Sequence, residues 1–436
     1  MFKKFKNSNH FYSLIGVIGG AGAAFLSFAL LARELPKSEF GEWALFLTVL
    51  TFVDMIKAGA VQSPMIKYAS GESEEEKAKN YATSWQINLG FTGILLGVFF
   101  LMFAFLGINN TVVQFLGIYL VYSIVSMPFY YATWIANLEL NFKVSMVLRL
   151  ATSISFLLGL VIVKWNSVLS FSSVAMLYCT AFLATSIITL LTAKTGFKSL
   201  VKVKDHLRKK YFNFARYHML AFLGSNLLKS FDTFIISFVL GPASVAFYNV
   251  PLRLVEVIEM PLKSALNVGF PKFSGFHNNG KKNELNIIIG NYIGILTLLY
   301  FPFMLILFFF AEELVVLTGG EQYIEATSIF QIFIVYGLII PFDRITGVVL
   351  DAVGKPKLNS RKVLYMALTN ILGDIIVLIL FDSLELVALV TVLNVIVGAF
   401  IGFYLVSTNI GFKLSDISIG EFKNFKININ SKKHIL

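Results

Sequence analysis

Charged residues are scarce in this sequence. Only 14% of its 436 residues are Asp, Glu, Lys or Arg, whereas a typical soluble domain contains about 25%. A single cysteine, Cys179, excludes an intramolecular disulfide and a thiolate metal site. The five histidines are scattered without the spacing of metal ligands. We therefore expect neither a metal centre nor a resident cofactor.

Long apolar runs take the place of the missing charge. Hydrophobic residues make up 57% of the chain, and its mean hydropathy is +0.76. Because backbone polar groups in lipid must be satisfied within their own segment, runs of about 20 residues predict membrane-spanning helices. The sequence thus predicts an all-α membrane protein with about twelve transmembrane helices. The predicted spans are 12–32, 41–66, 81–106, 111–135, 143–163, 170–193, 211–240, 244–271, 286–310, 322–351, 361–380 and 386–406.

Basic residues in the predicted loops are distributed unequally across the bilayer. The loops on one side of the bilayer contain only three basic residues, Arg33, Lys37 and Lys164. Most of the other Lys and Arg residues lie in the loops and tails on the same side as the N-terminal MFKKFK. By the positive-inside rule, both termini are predicted to be cytoplasmic. The first run, 12–32, is longer than a signal-peptide core, so we expect it to be retained as a helix. The net charge of +11 then suits anionic lipid, and no nucleic-acid partner is expected.

The longest basic loop, residues 194–210, divides the predicted helices into two sets of six. We expect an N-terminal lobe over 1–200, with helices 1–6. The C-terminal lobe over 201–436 would contain helices 7–12 and a basic cytoplasmic tail.

The two halves also show a weak internal repeat. A shift of 205 residues aligns LPKSEFGEW (35–43) with LGPASVAFY (240–248), and it aligns Asp54 with Glu259. Because six spans separate the copies, both run in the same direction. This predicts two lobes related by a pseudo-twofold axis along the membrane normal, with the substrate handled between them.

Signatures of an enzyme are missing. The nearest match to a phosphate-binding loop, GFHNNGKK (275–282), ends in Lys where Ser or Thr must hold magnesium, and no strand precedes it. The predicted outer loops are too short for a folded catalytic region and carry no Ser/His/Asp set. We therefore predict a transporter rather than an enzyme.

Ionisable residues inside the predicted spans are the strongest functional signal, because each costs about 2.5–3.5 kcal/mol at the centre of a bilayer helix. Such residues usually face a wet cavity or one another. A candidate cationic, substrate-binding cavity is formed by Lys57, Arg216, Lys229, Arg253, Lys263 and Arg344. Candidates for charge pairing or ion coupling are Asp54, Asp232, Glu256, Glu259 and Asp343.

Helical spacing predicts that several of these charges pair, since residues three or four apart share a helix face. The predicted pairs are Asp54 with Lys57, Lys229 with Asp232, Arg253 with Glu256, and Glu259 with Lys263. An anionic substrate fits the basic set best.

Three stretches give the chain a resemblance to a known family. They are LLARELPKSEFGEWAL (30–45), NLLKSFDTFIISFVLGPASVAFYNVPLRL (226–254) and DAVGKPKLNSRK (351–362). In their order, and with the six-plus-six plan, the chain resembles the Wzx-type oligosaccharide flippases of polysaccharide biosynthesis. These belong to the multidrug/oligosaccharidyl-lipid/polysaccharide exporter superfamily.

The resemblance implies a multi-pass protein of the bacterial inner membrane. It would move a polyprenyl-diphosphate-linked oligosaccharide from the cytoplasmic to the periplasmic leaflet by alternating access. The implied cationic cavity is lined largely by helices 1, 2, 7 and 8, on which Lys57, Lys229, Arg253 and Lys263 fall. Relatives often show a D-x-G pattern after the second-span aspartate, whereas this chain reads DMIKAGAVQ (54–62). The implied partners are the lipid-linked oligosaccharide, the bilayer and other polysaccharide assembly proteins, and coupling to Na⁺ or H⁺ stays open.

Two alternatives remain at this point. A cation-coupled exporter of drugs or small molecules, from the same superfamily, would favour an acidic cavity. A membrane-bound glycosyltransferase or polymerase would need larger outer loops. A flippase of the peptidoglycan lipid precursor is a close variant of the main prediction, although such proteins typically have fourteen spans.

Overall fold

The computed structural model of the protein describes residues 9–107, 110–166, 168–200 and 205–418, and in a few stretches, chiefly 216–230, it describes the backbone alone. The described residues form helices joined by short turns, and no β-strand occurs among them. The predicted all-α fold is confirmed.

The described residues of the first half of the chain form eight α-helices. A π-helical turn, Ala58–Gln62, joins α2 to α3 immediately before Pro64, which has no N–H to donate to the preceding turn. Ser73 caps α4 by accepting a hydrogen bond from the backbone N–H of Glu76. The helices are α1 (Asn9–Glu34), α2 (Lys37–Lys57), α3 (Ser63–Ala69), α4 (Glu74–Leu106), α5 (Thr111–Val125), α6 (Met127–Leu138), α7 (Phe142–Asn166) and α8 (Phe171–Thr192).

Seven α-helices lie in the second half, within residues 205–418. Glycines with positive φ, such as Gly320 and Gly411, end two of them in backbone conformations that other residues rarely adopt. The helices are α9 (Asp205–Leu240), α10 (Pro242–Asn278), α11 (Lys282–Phe309), α12 (Ala311–Gly319), α13 (Thr327–Ala352), α14 (Pro356–Phe381) and α15 (Leu384–Ile410).

Most of these helices are long and apolar enough to cross a membrane. Eight described spans meet that criterion, or nine when α5 and α6, which bend by 47° at their junction, are taken as one. The long helices α1, α9 and α10 complete a set of twelve in the described part of the chain. The predicted number of about twelve helices is confirmed.

The chain folds as two compact units. Residues 1–237 and 241–246 form the first, and residues 238–240 and 247–436 form the second. The predicted lobe boundary at residues 200/201 precedes α9 and stays a prediction.

Aromatic packing dominates the first unit. Trp85 of α4 stacks on Tyr131 of α6 with ring centroids 4.1 Å apart, and its indole N–H donates to the carbonyl of Thr195 at 2.9 Å. Tyr211 of α9 is fully buried in the same cluster. The cluster holds α3, α4 and α6 together beside the polar residues of α2.

Close helix approach characterises the second unit. Gly398 and Gly402, four residues apart, form one face of α15 against α13 and α14. A Cβ atom at Gly398 would overlap the side chains of Asp343 and Met366, and one at Gly402 would overlap Thr346. Only glycine therefore allows the backbones to approach this closely.

Candidate functional site

Asp54, on α2 in the first unit, is held by two tyrosines. Its Oδ2 lies at hydrogen-bond distance from the hydroxyl oxygens of Tyr122, at 2.8 Å, and Tyr130, at 2.9 Å. The two hydroxyls are themselves 2.6 Å apart. We call Asp54, Lys57, Tyr122, Ser123 and Tyr130 the Asp54 cluster.

Lys57 turns away from Asp54. Its Nζ donates to the hydroxyl of Ser123 at 2.5 Å and lies 5.2 Å from the ring centroid of Tyr119. Among the described residues, no carboxylate lies within ion-pair distance of this buried ammonium. The predicted Asp54–Lys57 ion pair is therefore wrong, because a hydroxyl and an aromatic face replace the carboxylate as partners of Lys57.

A cavity of about 20 Å³ adjoins this cluster. Its volume suits a water molecule, and it is far too small for a sugar or a drug. The buried Oδ1 of Asn88, on α4, has no hydrogen-bond partner among the described residues. The cavity is lined by Asp54, Lys57, Asn88, Ser123, Ser126, Met127, Tyr130 and Trp134.

Two helix irregularities flank the Asp54 cluster. The π-helical turn begins at Ala58, directly after Lys57. The bend between α5 and α6 lies at Ser126, between the two tyrosines. π-Helical turns inside α-helices occur frequently at functional sites.

Glu259, on α10 in the second unit, is held by one tyrosine and two cations. Its Oε1 accepts from the hydroxyl of Tyr336 at 2.5 Å and lies 3.6 Å from the guanidinium of Arg344. Its Oε2 lies 3.0 Å from Nζ of Lys263, as the helical spacing predicts. These four residues, the Glu259 cluster, join α10 to α13.

The two cations of the Glu259 cluster are accessible, while the carboxylate is not. The side chain of Lys263 is 54% exposed and that of Arg344 39% exposed, against 11% for Glu259. One buried negative charge thus holds two positive charges at an accessible surface of the second unit.

A buried ion pair supports this cluster. Nζ of Lys362, on α14, lies 2.7 Å from Oδ1 of Asp343 and donates to the backbone carbonyl of Asp343 at 2.7 Å. Both side chains are almost inaccessible, at 3% and 2%. Asp343 Oδ2 also lies 4.0 Å from the guanidinium of Arg344, so the three cations Lys263, Arg344 and Lys362 share two carboxylates and one positive charge is in excess.

Lys362 lies within the predicted span 361–380, but it was not among the predicted site residues. In the structure α14 begins at Pro356, so Lys362 lies within the helix. A signal was present, because buried residues recur every four positions at Lys362, Met366, Asn370 and Asp374. The amide of Asn370 donates to the fully buried Asp374 at 2.9 Å.

The remaining predicted site residues lie outside the Asp54 cluster and the Glu259 cluster. Arg253 and Glu256 form the predicted ion pair on α10. Asp232, on α9, is buried. The side chains of Arg216 and Lys229 lie outside the described residues, so their roles stay predictions.

The tyrosines were also missed by the sequence reading, although the internal repeat contains them. Asp54 and Glu259 are 205 positions apart, while Lys57 and Lys263, and likewise Tyr130 and Tyr336, are 206 apart. Each unit therefore contains a carboxylate that binds a tyrosine of a later helix, with a lysine one turn away.

Known proteins resemble this chain in sequence and in fold. A family model described as "Polysaccharide biosynthesis protein" matches residues 30–328. The chain is 22% identical over 412 residues to the "Probable low-salt glycan biosynthesis flippase Agl15" of Haloferax volcanii, covering 93% of this chain and 84% of that protein.

Two solved structures have a similar fold. The lipid II flippase MurJ, in an inward closed conformation, superposes with a TM-score of 0.72 at 17% identity, covering 93% of this chain and 88% of that chain. A multidrug resistance MATE transporter of the MOP superfamily, in an inward-facing conformation, gives 0.69 at 12% identity, with coverages of 92% and 98%.

Proposed function

Because the chain belongs to the polysaccharide biosynthesis protein family, we propose that it is a flippase for polyprenyl-diphosphate-linked oligosaccharides. It would move them from the cytoplasmic to the outer leaflet by alternating access, with both chain termini in the cytoplasm. The resemblance found in the sequence, the family match and the fold shared with transporters support a transporter over a glycosyltransferase.

One observation carries the choice of an anionic headgroup. Lys263 and Arg344 share the single carboxylate of Glu259, and both cations remain accessible. Asp343 lies 4.0 Å from Arg344 but 2.7 Å from Lys362, so these two carboxylates face three cations. The group therefore carries one positive charge in excess, which favours a phosphorylated ligand over a cationic drug.

The Glu259 cluster suggests how such a headgroup binds and leaves. A diphosphate would displace Glu259 and accept hydrogen bonds from Arg344 and Lys263, since guanidinium groups bind phosphate in a bidentate manner. Each such contact is of the order of 4 kcal/mol at about 4 Å and an effective dielectric near 20. When the headgroup departs, Glu259 pairs again with both cations, so the empty site keeps only one positive charge in excess.

Alternating access adds one requirement. A ligand shifts a conformational equilibrium only by its difference in affinity for the two states. We propose that the diphosphate binds more tightly when Glu259 has been displaced, and that its departure restores the resting pairs.

The experiment is a flipping assay in proteoliposomes that contain a lipid-diphosphate-linked oligosaccharide. Lys263→Gln combined with Arg344→Gln should reduce the flipping rate at least about tenfold, because the contacts to the headgroup are lost. Glu259→Gln should retain headgroup binding, since it removes the competing carboxylate. Lys281→Gln, which removes an exposed cation paired with Glu284, is the matched control and should flip at the normal rate.

Unchanged flipping by the Lys263/Arg344 double variant would refute the role of the Glu259 cluster. Chain lengthening of the lipid-linked oligosaccharide by the purified protein would instead identify a polymerase. Retained insertion and a normal unfolding temperature confirm that a loss of flipping is not a loss of folding.

A further inference from the structure

Three oxygen atoms of the Asp54 cluster form a triangle, and the spacing of these atoms indicates how many protons they share. Asp54 Oδ2 and the hydroxyls of Tyr122 and Tyr130 are separated by 2.8, 2.9 and 2.6 Å. These are hydrogen-bond lengths for oxygen pairs, so each side of the triangle needs one proton. Two tyrosines supply one proton each, and an ionised carboxylate supplies none. The third proton must therefore reside on Asp54.

Lys57 gives a second, independent indication. If Asp54 were ionised, the ammonium one turn away would gain most by pairing with it. In the second unit Lys263 does this, at 3.0 Å from Glu259. Lys57 instead donates to Ser123, which is the expected choice beside a neutral carboxyl group.

The adjoining cavity supplies a route for the proton. Asp54 and Asn88 both line it, the amide oxygen of Asn88 has no partner among the described residues, and the volume of about 20 Å³ accommodates one water molecule. Such a water can accept the proton of Asp54 when the carboxyl group ionises. The same volume excludes a sugar as occupant of this site.

We propose that Asp54 is a proton-binding site, protonated in the conformation described here, and that loss of its proton transfers Lys57 from Ser123 to the Asp54 carboxylate. On ionisation the O–H bond of Asp54 breaks, the proton passes to water and the negative charge remains on the carboxylate. The oxygen triangle then lacks a proton, so one contact between Asp54, Tyr122 and Tyr130 opens.

The surroundings contain few other groups that could set the charge of Asp54. Lys57 on α2 is the charged neighbour among the described residues of the cluster. The facing titratable groups are the phenols of Tyr119, Tyr122 and Tyr130 from α5 and α6 and of Tyr178 from α8, whose ring lies 5.7 Å from that of Tyr122. From α4 the neighbours Asn88 and Phe91 do not titrate.

The proton-linked change lies next to two helix joints. Lys57 immediately precedes the π-helical turn of α2–α3, and Tyr122 and Tyr130 stand on opposite sides of the α5–α6 bend. Opening the triangle would release α6 from α5 at that bend. A change in protonation therefore becomes a change in helix geometry within the first unit.

Infrared difference spectroscopy of the purified protein, titrated with pH and without any substrate, tests the proposal directly. A protonated carboxyl group has a C=O stretching band that an ionised carboxylate lacks. Asp54→Asn should remove one such band, whereas Glu259→Gln should leave the bands unchanged. Asp374→Asn is the matched control for a second fully buried carboxyl group. Bands that are identical in the wild type and Asp54→Asn would overturn the proposal.

The variant Lys57→Met tests the direction in which the ionisation of Asp54 shifts along the pH scale. Without the ammonium, the ionised form of Asp54 loses its alternative partner, so the pH at which the band disappears should rise by about one unit or more.

Trp134, which lines the cavity, should change its fluorescence over the same pH range in the wild type and not in Asp54→Asn. Loss of the band on adding Na⁺ at constant pH would show that Na⁺ displaces the proton of Asp54, which still requires the proposed protonated state. None of these measurements depends on the transported substrate, so a failure of the proposed function leaves them interpretable.

Discussion

Asp54 in the first unit and Glu259 in the second occupy corresponding positions of the internal repeat, yet different groups surround them. Asp54 contacts two tyrosine hydroxyls, and the nearby lysine bonds elsewhere. Glu259 contacts one tyrosine hydroxyl and two cations. The comparison shows the same three residue types, a carboxylate, a lysine and a tyrosine, in two different hydrogen-bonding arrangements. A neutral carboxyl group can bind and release a proton, whereas an ionised one holds cations ready for an anionic ligand.

The largest effect is expected where the second unit buries its charges most deeply. Lys362→Met leaves the buried Asp343 ionised with only the guanidinium of Arg344, 4.0 Å away, as a partner, which should lower the free energy of unfolding by about 3 kcal/mol. Thermal unfolding in detergent measures the loss. Lys362→Met combined with Asp343→Leu removes both charges and should regain most of the stability. A single variant as stable as the wild type would mean that Asp343 is not ionised, and the contrast between the units would disappear.

The next effect concerns Glu259 itself. Glu259→Gln removes a charged hydrogen-bond acceptor from Tyr336, Lys263 and Arg344, which should cost about 1.5–3 kcal/mol of stability. The accessible cations can turn to solvent, so the loss should be smaller than for Lys362→Met. Tyr336→Phe is the control, because it removes the neutral donor and keeps both ion pairs. Equal stability of Glu259→Gln and the wild type would show that the ion pairs contribute nothing measurable.

A substitution at a close helix contact tests the packing of the same region. The added methyl group of Gly398→Ala would overlap Asp343 and Met366, and overpacking of this kind costs about 1–3 kcal/mol. The strain should also disturb the Lys362–Asp343 pair on which Arg344 depends. Gly275→Ala, at a glycine of α10 with open space around it, is the matched control and should change stability little. A tolerated Gly398→Ala would argue against close packing of α13 and α15.

The sequence predicts the helices well and their side-chain partners less well. Apolar runs of about 20 residues predict the spans, and the i,i+4 spacing predicts the Glu259–Lys263 pair. The same spacing rule fails for Asp54 and Lys57, because spacing places both on one face but does not state whether the carboxyl group is charged. Lys362 was missed for another reason, since a lysine near the end of a predicted span is expected to reach water unless its partner on another helix, here Asp343, is known.

The smallest effect on stability should occur at Asp54, and it is the most informative about the comparison. Asn at this position keeps one acceptor and one donor, as a protonated carboxyl group does, so the contacts with Tyr122 and Tyr130 survive. We expect Asp54→Asn to change the free energy of unfolding near neutral pH by less than about 1 kcal/mol, the lower range for a single neutral hydrogen bond. Asp54→Ala, which removes both, is the control and should cost more. If Asp54→Asn were as destabilising as Glu259→Gln, the two carboxylates would have the same charge state. The repeat would then contain two copies of one ionised site rather than a proton site and a cation-holding site.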